Sequence, residues 1–176
     1  IWSTSRQELI DMTPTTQSGP NYSDLARFVL ERAETARQGV ELIGALIGEF
    51  GESTYGGNSH LIADDDEAWV VIQFAGGQGL WAAERLGDNS IRASRPGYIL
   101  SVPIDQLEHP DYLYSSNFVS FAVSKGWFNS DRDMEFNANL IYGDGKQKWD
   151  GVEWIESQML DLASRPERIG IEDVMW

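Results

Sequence analysis

The side chains that could do chemistry are few. There is no cysteine and there are two histidines, His60 and His109. That excludes disulfides, thiolate metal sites and a cysteine nucleophile within these 176 residues. Neither histidine has a carboxylate or serine at a spacing that builds a catalytic pair, and no His/Glu pattern points to zinc. Each reads as a surface or capping residue. Asp64-Asp65-Asp66-Glu67 gathers four carboxylates that could hold a divalent cation. The run lacks the alternating spacing of a calcium loop, so a solvated hairpin turn is the simpler reading. Gly76-Gly77-Gln78-Gly79 has the glycines of a phosphate cradle without the Lys-Ser/Thr that completes one. It also joins strand to strand and reads as a turn. The Trp- and Tyr-rich stretch 112–154 could form a carbohydrate platform, but packed rings of a late lobe are the default. No residue pattern calls for a metal or a cofactor.

These residues need elements to hold them. The longest periodic stretch is Asn21–Gly51. Ser23 is placed to cap a first helix, with Asp24 in its first turn and Leu25, Phe28, Val29 and Arg32 at i, i+3, i+4 and i+7. Thr35 can cap a second, with Gln38 three residues on as in a capping box. Val40, Ile43, Ile47 and Phe50 give that helix a narrow apolar stripe, which Leu42 and Leu46 widen. Gly39, Gly44 and Gly48 each cost about 1 kcal/mol relative to Ala in a helix. Gly44 and Gly48 share a face, where close approach of another element would compensate. Gly51 ends the helix.

From His60 the period changes to that of strands. Leu61-Ile62-Ala63 and Ala68–Phe74 flank the acidic turn as a hairpin, Leu80–Leu86 forms a third strand, and Ile91–Ile99 continues extended. An antiparallel meander covered by the helix pair is the expected unit, an α+β arrangement over residues 1–102. Residues 103–176 read as a helical and irregular continuation of the same domain. Helical pieces are expected at Asp105–Glu108, Asn117–Lys125 and Val152–Leu162, the last with Trp154, Ile155, Gln158, Met159 and Leu162 inward. Asn137–Gly145 reads as a loop.

Composition narrows the function class. Hydrophobic content of 41% and charged content of 23% are those of an ordinary globular protein. A formal charge of −15 opposes binding to nucleic acid or to an anionic membrane surface. No apolar run is long enough to span a bilayer. No signal-peptide pattern opens the chain, which favours a cytoplasmic location. The start at Ile1 without Met, and the incipient helix at Ile171–Trp176, lead us to expect a processed chain or a piece of a larger one.

Several of these stretches carry a family resemblance. Asn21–Arg37 is similar to the "DL-R-x-x-LERA-x-TAR" helix of the dipeptidase A and secernin family. Gly39–Gly51 resembles its "A-x-E-x-I-G-x-L-I-x-x-Y-G". Ile62–Val70 is similar to its "IAD-x-x-EAWV" hairpin, and Leu80–Arg85 to its "WVA-x-R" strand. Ile169–Met175 resembles a "SVEDVM" helix start. The matches keep their order and cover residues 21–99 well and 100–168 poorly.

The resemblance implies an N-terminal-nucleophile hydrolase with a four-layer αββα sandwich and a small peptide as substrate. In that family a cysteine at the mature N-terminus attacks the carbonyl, its α-amine acts as base, and an oxyanion hole holds the intermediate. The match begins after the family's cysteine-bearing strand, so no catalytic residue is expected in this chain. A companion polypeptide or precursor segment would carry the cysteine, and a homo-oligomer is compatible with the pattern. Ser94 stands where the family has an Asn near the substrate, and Arg95 beside it could clamp a substrate carboxylate bidentately. Ser94 as a plain turn residue and Arg95 as a surface ion pair remain open alternatives. The rival to a dipeptidase-like amidohydrolase segment is a non-catalytic binding or structural subunit of the same fold.

Overall fold

A computed structural model describes residues 6–53, 56–90, 99, 101–105, 108–143, 152–165 and 170. The helix pair forms as its sequence suggests, α2 spanning Tyr22–Arg32 and α3 Ala36–Phe50, preceded by a single turn, α1, at Gln7–Ile10. The cap of α2 is Asn21, two residues earlier than Ser23. Its side-chain oxygen accepts from the backbone N–H of Ser23 (2.8 Å) and Asp24 (3.1 Å), and Asp24 in return accepts from the Asn21 N–H at 3.1 Å. This reciprocal box satisfies donors that a helix start leaves unpaired, so Asn21 outcompetes Ser23.

Strands β1 (Ser59–Ala63), β2 (Ala68–Gln73) and β3 (Trp81–Leu86) form the expected meander, all antiparallel. The fourth strand is β5, Tyr112–Tyr114, which pairs with β3 to give the order β1-β2-β3-β5. The expected extension Ile91–Ile99 lies outside the described residues except for Ile99, which is buried. A second, two-stranded sheet joins β4 (Ser101–Val102) to β6 (Phe136–Asn137). Helices α4 (Phe118–Ser124), α5 (Ala138–Tyr142) and α6 (Val152–Ala163) complete the described elements. Helix α5 replaces the loop expected at Asn137–Gly145, because the Asn137 side chain accepts from the Leu140 N–H at 3.0 Å and starts a turn there. In α6 the inward face is Ile155, Met159 and Leu162, each half-buried, while Trp154 and Gln158 are exposed. Of the expected helical piece Asp105–Glu108, the two middle residues lie outside the described set, as do Lys146–Trp149 and Ile171–Trp176.

The first sheet has a core on each face. Alternation along β2 sends Trp69 and Val71 to the helix side, where they pack with Leu25, Val29, Val40, Ile43 and Ile47. Val70 and Ile72 point the other way, into a core shared with Leu80, Val102, Phe118, Phe136 and Tyr142. Burial on both sides explains why β2 reads as a continuous apolar run despite its antiparallel pairing. Phe74, Phe118, Phe136 and Tyr142 stack at centroid distances of 4.9 to 6.2 Å, with the Tyr142 hydroxyl donating to the Phe118 carbonyl. These aromatics are core and not a platform. On α3, Phe50 falls off the stripe and is half-exposed.

Candidate functional site

The acidic run at the β1–β2 turn is a helix cap supplied from another element. Asp64 Oδ1 accepts from the N–H groups of Asp66 and Glu67, both at 2.8 Å, which closes the turn. Its Oδ2 accepts from the Ala36 N–H at 2.6 Å, and Glu67 Oε1 accepts from the Arg37 N–H at 3.1 Å. Thr35 Oγ1 takes the Gln38 N–H at 3.2 Å. The first three free donors of α3 are thereby satisfied, two of them by carboxylates placed where the helix dipole favours negative charge. The backbone hydrogen bonds, that from Ala36 first, hold the Asp64 carboxyl below the usual range. Thr35 and Gln38 share the capping role foreseen for them, although Gln38 reaches the Glu34 N–H at 2.9 Å instead of that of Thr35.

The opposite end of α3 borders a cleft of about 580 Å³. Its walls are the C-terminal turns of α3, the loop 13–18, the β2–β3 turn and the connection from β5 to α4. Two glycine features shape it. Gly44 faces the indole of Trp81 so closely that a Cβ would stand 2.2 Å from the ring, which is the close approach expected of this face. Gly48, one turn on, has nothing within 4 Å and opens to the cleft. The walls are fixed by hydrogen bonds: Thr13 Oγ1 accepts from the Gly76 N–H (3.1 Å), and Asn117 Nδ2 donates to the Gln78 carbonyl (2.8 Å). Gly76-Gly77-Gln78-Gly79 is the strand-to-strand turn foreseen, with φ positive at all three glycines.

Glu52 is the residue that sequence reasoning missed. Gly51 closes α3 at φ +75°, a conformation that glycine adopts without strain, and the chain turns there. Ser53 is then tied to the preceding loop by its N–H to the Pro20 carbonyl (3.1 Å) and its hydroxyl to the Gly19 carbonyl (3.0 Å). Between these fixed points Glu52 lines the cleft with 8% of its surface exposed. Among the described residues, neither carboxylate oxygen has a hydrogen-bond partner. Burial raises its carboxyl to about 8, because the charged form loses its water without gaining a partner. No sequence pattern distinguishes such a glutamate from the many exposed ones. The nearest signal is its position directly after a helix-ending glycine.

Gln73 is a second buried polar group, fully covered and with both amide atoms unpartnered among the described residues. It lies in register with Trp81, two residues along β2 from Val71 and so on the helix side of the sheet.

The histidines fall as capping and buried groups. His109 Nδ1 accepts from the Asp111 N–H at 3.1 Å, and its ring stands edge-on to Tyr112. His60 sits on β1, half-buried, and burial lowers its pKa so that the neutral ring is favoured. A second concavity beside His109 includes Arg37, whose guanidinium is already engaged by Glu41 (3.1 Å) and the Pro110 carbonyl (3.2 Å). Ser94 and Arg95 lie outside the described residues. What the cleft offers is therefore recognition: hydroxyls, amides, two aromatic rings and one buried carboxyl.

The chain resembles two curated proteins over most of its length. It is 27% identical over 150 residues to probable dipeptidase B of Lactococcus lactis subsp. lactis (strain IL1403), an alignment covering 82% of this chain and 30% of that protein. It is 25% identical over 148 residues to probable dipeptidase A of Streptococcus pyogenes serotype M3 (strain SSI-1), again covering 82% and 30%. The matched region spans less than a third of either relative's length. The family model described as peptidase family C69 matches residues 3–152, a stretch that takes in the helix pair, both sheets and the aromatic core, and on that match the chain belongs to peptidase family C69.

Proposed function

We propose that this chain is the scaffold and part of the substrate cleft of a dipeptidase-like amidohydrolase. Its nucleophile is a cysteine at a mature N-terminus outside these residues, carried by a precursor segment or a companion polypeptide. The observation that supports this best is a family match across most of a chain that contains no cysteine. The reaction on this reading is attack of the thiolate on the peptide carbonyl, with the free α-amine taking the thiol proton and an oxyanion hole stabilising the tetrahedral intermediate. The two-stranded sheet β4–β6, across the aromatic core from the four-stranded one, would be the start of the second sheet of an αββα sandwich. The cleft volume is in the range that holds a small ligand.

Dipeptide hydrolysis by the 176-residue chain and by the whole protein that contains it tests the reading. We expect turnover from the whole protein and none from the chain alone. Turnover by the cysteine-free chain would contradict the external nucleophile. An inactive whole protein that still binds dipeptides would favour the non-catalytic subunit.

A further inference from the structure

We propose that the cleft at the end of α3 is a subsite for the ammonium group of a peptide-sized ligand, with Glu52 as its counter-ion. This rests on the reading of the chain as part of a peptide hydrolase and names the residue that would recognise the substrate's free amine. Three observations carry it. Glu52 is the one charged residue among the described residues lining the cleft, so none of them is a cation that competes for it. It is 8% exposed and unpartnered, a position that costs free energy until a cation or donor arrives. The surrounding residues suit an organic cation: Trp81 and Tyr114 are the aromatic residues of the lining, and Ser115, Ser116 and Gln78 are its neutral hydrogen-bonding neighbours.

Both Glu52 carboxylate oxygens are buried and no described hydrogen bond holds them, so turning them toward a ligand would break none. Glu52 and Tyr114 are the titratable groups on the described lining. With its carboxyl raised to about 8 by burial, Glu52 is mostly protonated at neutral pH when no cation pairs with it. An arriving ammonium favours the carboxylate, so binding releases the carboxyl proton to solvent.

The test is titration calorimetry at pH 7 on the whole protein in two buffers of different ionisation enthalpy. The probe is the hydroxyethylene isostere of Ala-Ala, which keeps the free amine and has no amide bond to cleave. Its N-acetyl derivative and the Glu52→Gln variant, with folding checked by circular dichroism, complete the set. We expect the free-amine probe to bind the native protein with release of close to one proton. Acetylation or Glu52→Gln should each weaken binding roughly tenfold or more, and the variant should release none. Equal affinity for the acetylated probe, equal affinity of the folded variant, or no binding by the native protein at millimolar probe would overturn the proposal. Because the probe is not hydrolysed, a failure of the catalytic reading shows in the turnover assay and leaves this result intact.

Discussion

At the scale of single residues, two carboxylates a short distance apart in sequence meet opposite fates. Glu52 is buried without a partner among the described residues, so its proton is held more tightly in the fold than in the unfolded chain. Its contribution to stability is full below about 4.5 and is lost as pH rises toward 8. At pH 7 the loss amounts to roughly 3 kcal/mol for a shift of this size. His60, whose pKa is lowered by burial, contributes in the reverse sense, losing stability as pH falls below its usual 6.5. Glu52→Gln removes the first term and leaves the second. Urea midpoints measured from pH 5 to 8.5 should therefore show the variant gaining on the native protein as pH rises. Parallel curves for the two would remove Glu52 as the source.

Asp64 is the opposite case, exposed and held ionised by backbone donors. Its contribution is present above its ordinary value of 3.8 and disappears as pH falls through the lowered value. Asp64→Ala should lower the denaturant midpoint at pH 7, and the deficit should vanish in acid. Asp64→Asn, which keeps an acceptor oxygen, should fall between the two. Neither role was legible in the sequence. The acidic run announces a turn, but that its carboxylates reach the N-terminus of α3 depends on how the hairpin lies across the helix. Glu52 looks like any charged loop residue in the sequence, and its burial shows only in the fold.

At the scale of elements, the helix pair and the β1–β3 meander were readable because their periods are long and their punctuation is strong. Val40, Ile43 and Ile47 recur at helical spacing, Gly51 stops the helix, and the short apolar runs that open β2 and β3 are bounded by acidic and glycine turns. The short elements were not. Strand β5 has three residues and helix α5 has five, below the length at which a period can be recognised. Both form because a neighbour completes them: β5 by pairing with β3, and α5 by the Asn137 cap and the packing of Ile141 and Tyr142. The glycine face of α3 divides in the same way. Gly44→Ala drives a methyl into the Trp81 ring and should cost about 1–3 kcal/mol. Gly48→Ala meets open space and should stabilise by up to about 1 kcal/mol through helix propensity. Thermal melts of the two single variants check this; shifts of the same sign would contradict the packing assigned to Trp81.

At the scale of the whole molecule, the four-stranded sheet divides the described residues into a helix-side core and an aromatic core. The cleft opens where α3 ends over the β2–β3 turn. This architecture forms a cleft, and the chain holds no cysteine. The family was legible from ordered motifs on the helix pair and hairpin. The candidate residues Ser94 and Arg95 came from the resemblance alone and lie outside the described residues, whereas the cleft and Glu52 required three dimensions.

The most direct test of the central claim is dipeptide turnover by the whole protein before and after iodoacetamide, with the label mapped by mass spectrometry. Turnover should disappear as one cysteine, at an N-terminus and outside these 176 residues, takes up the label. Full turnover after complete alkylation would contradict the claim.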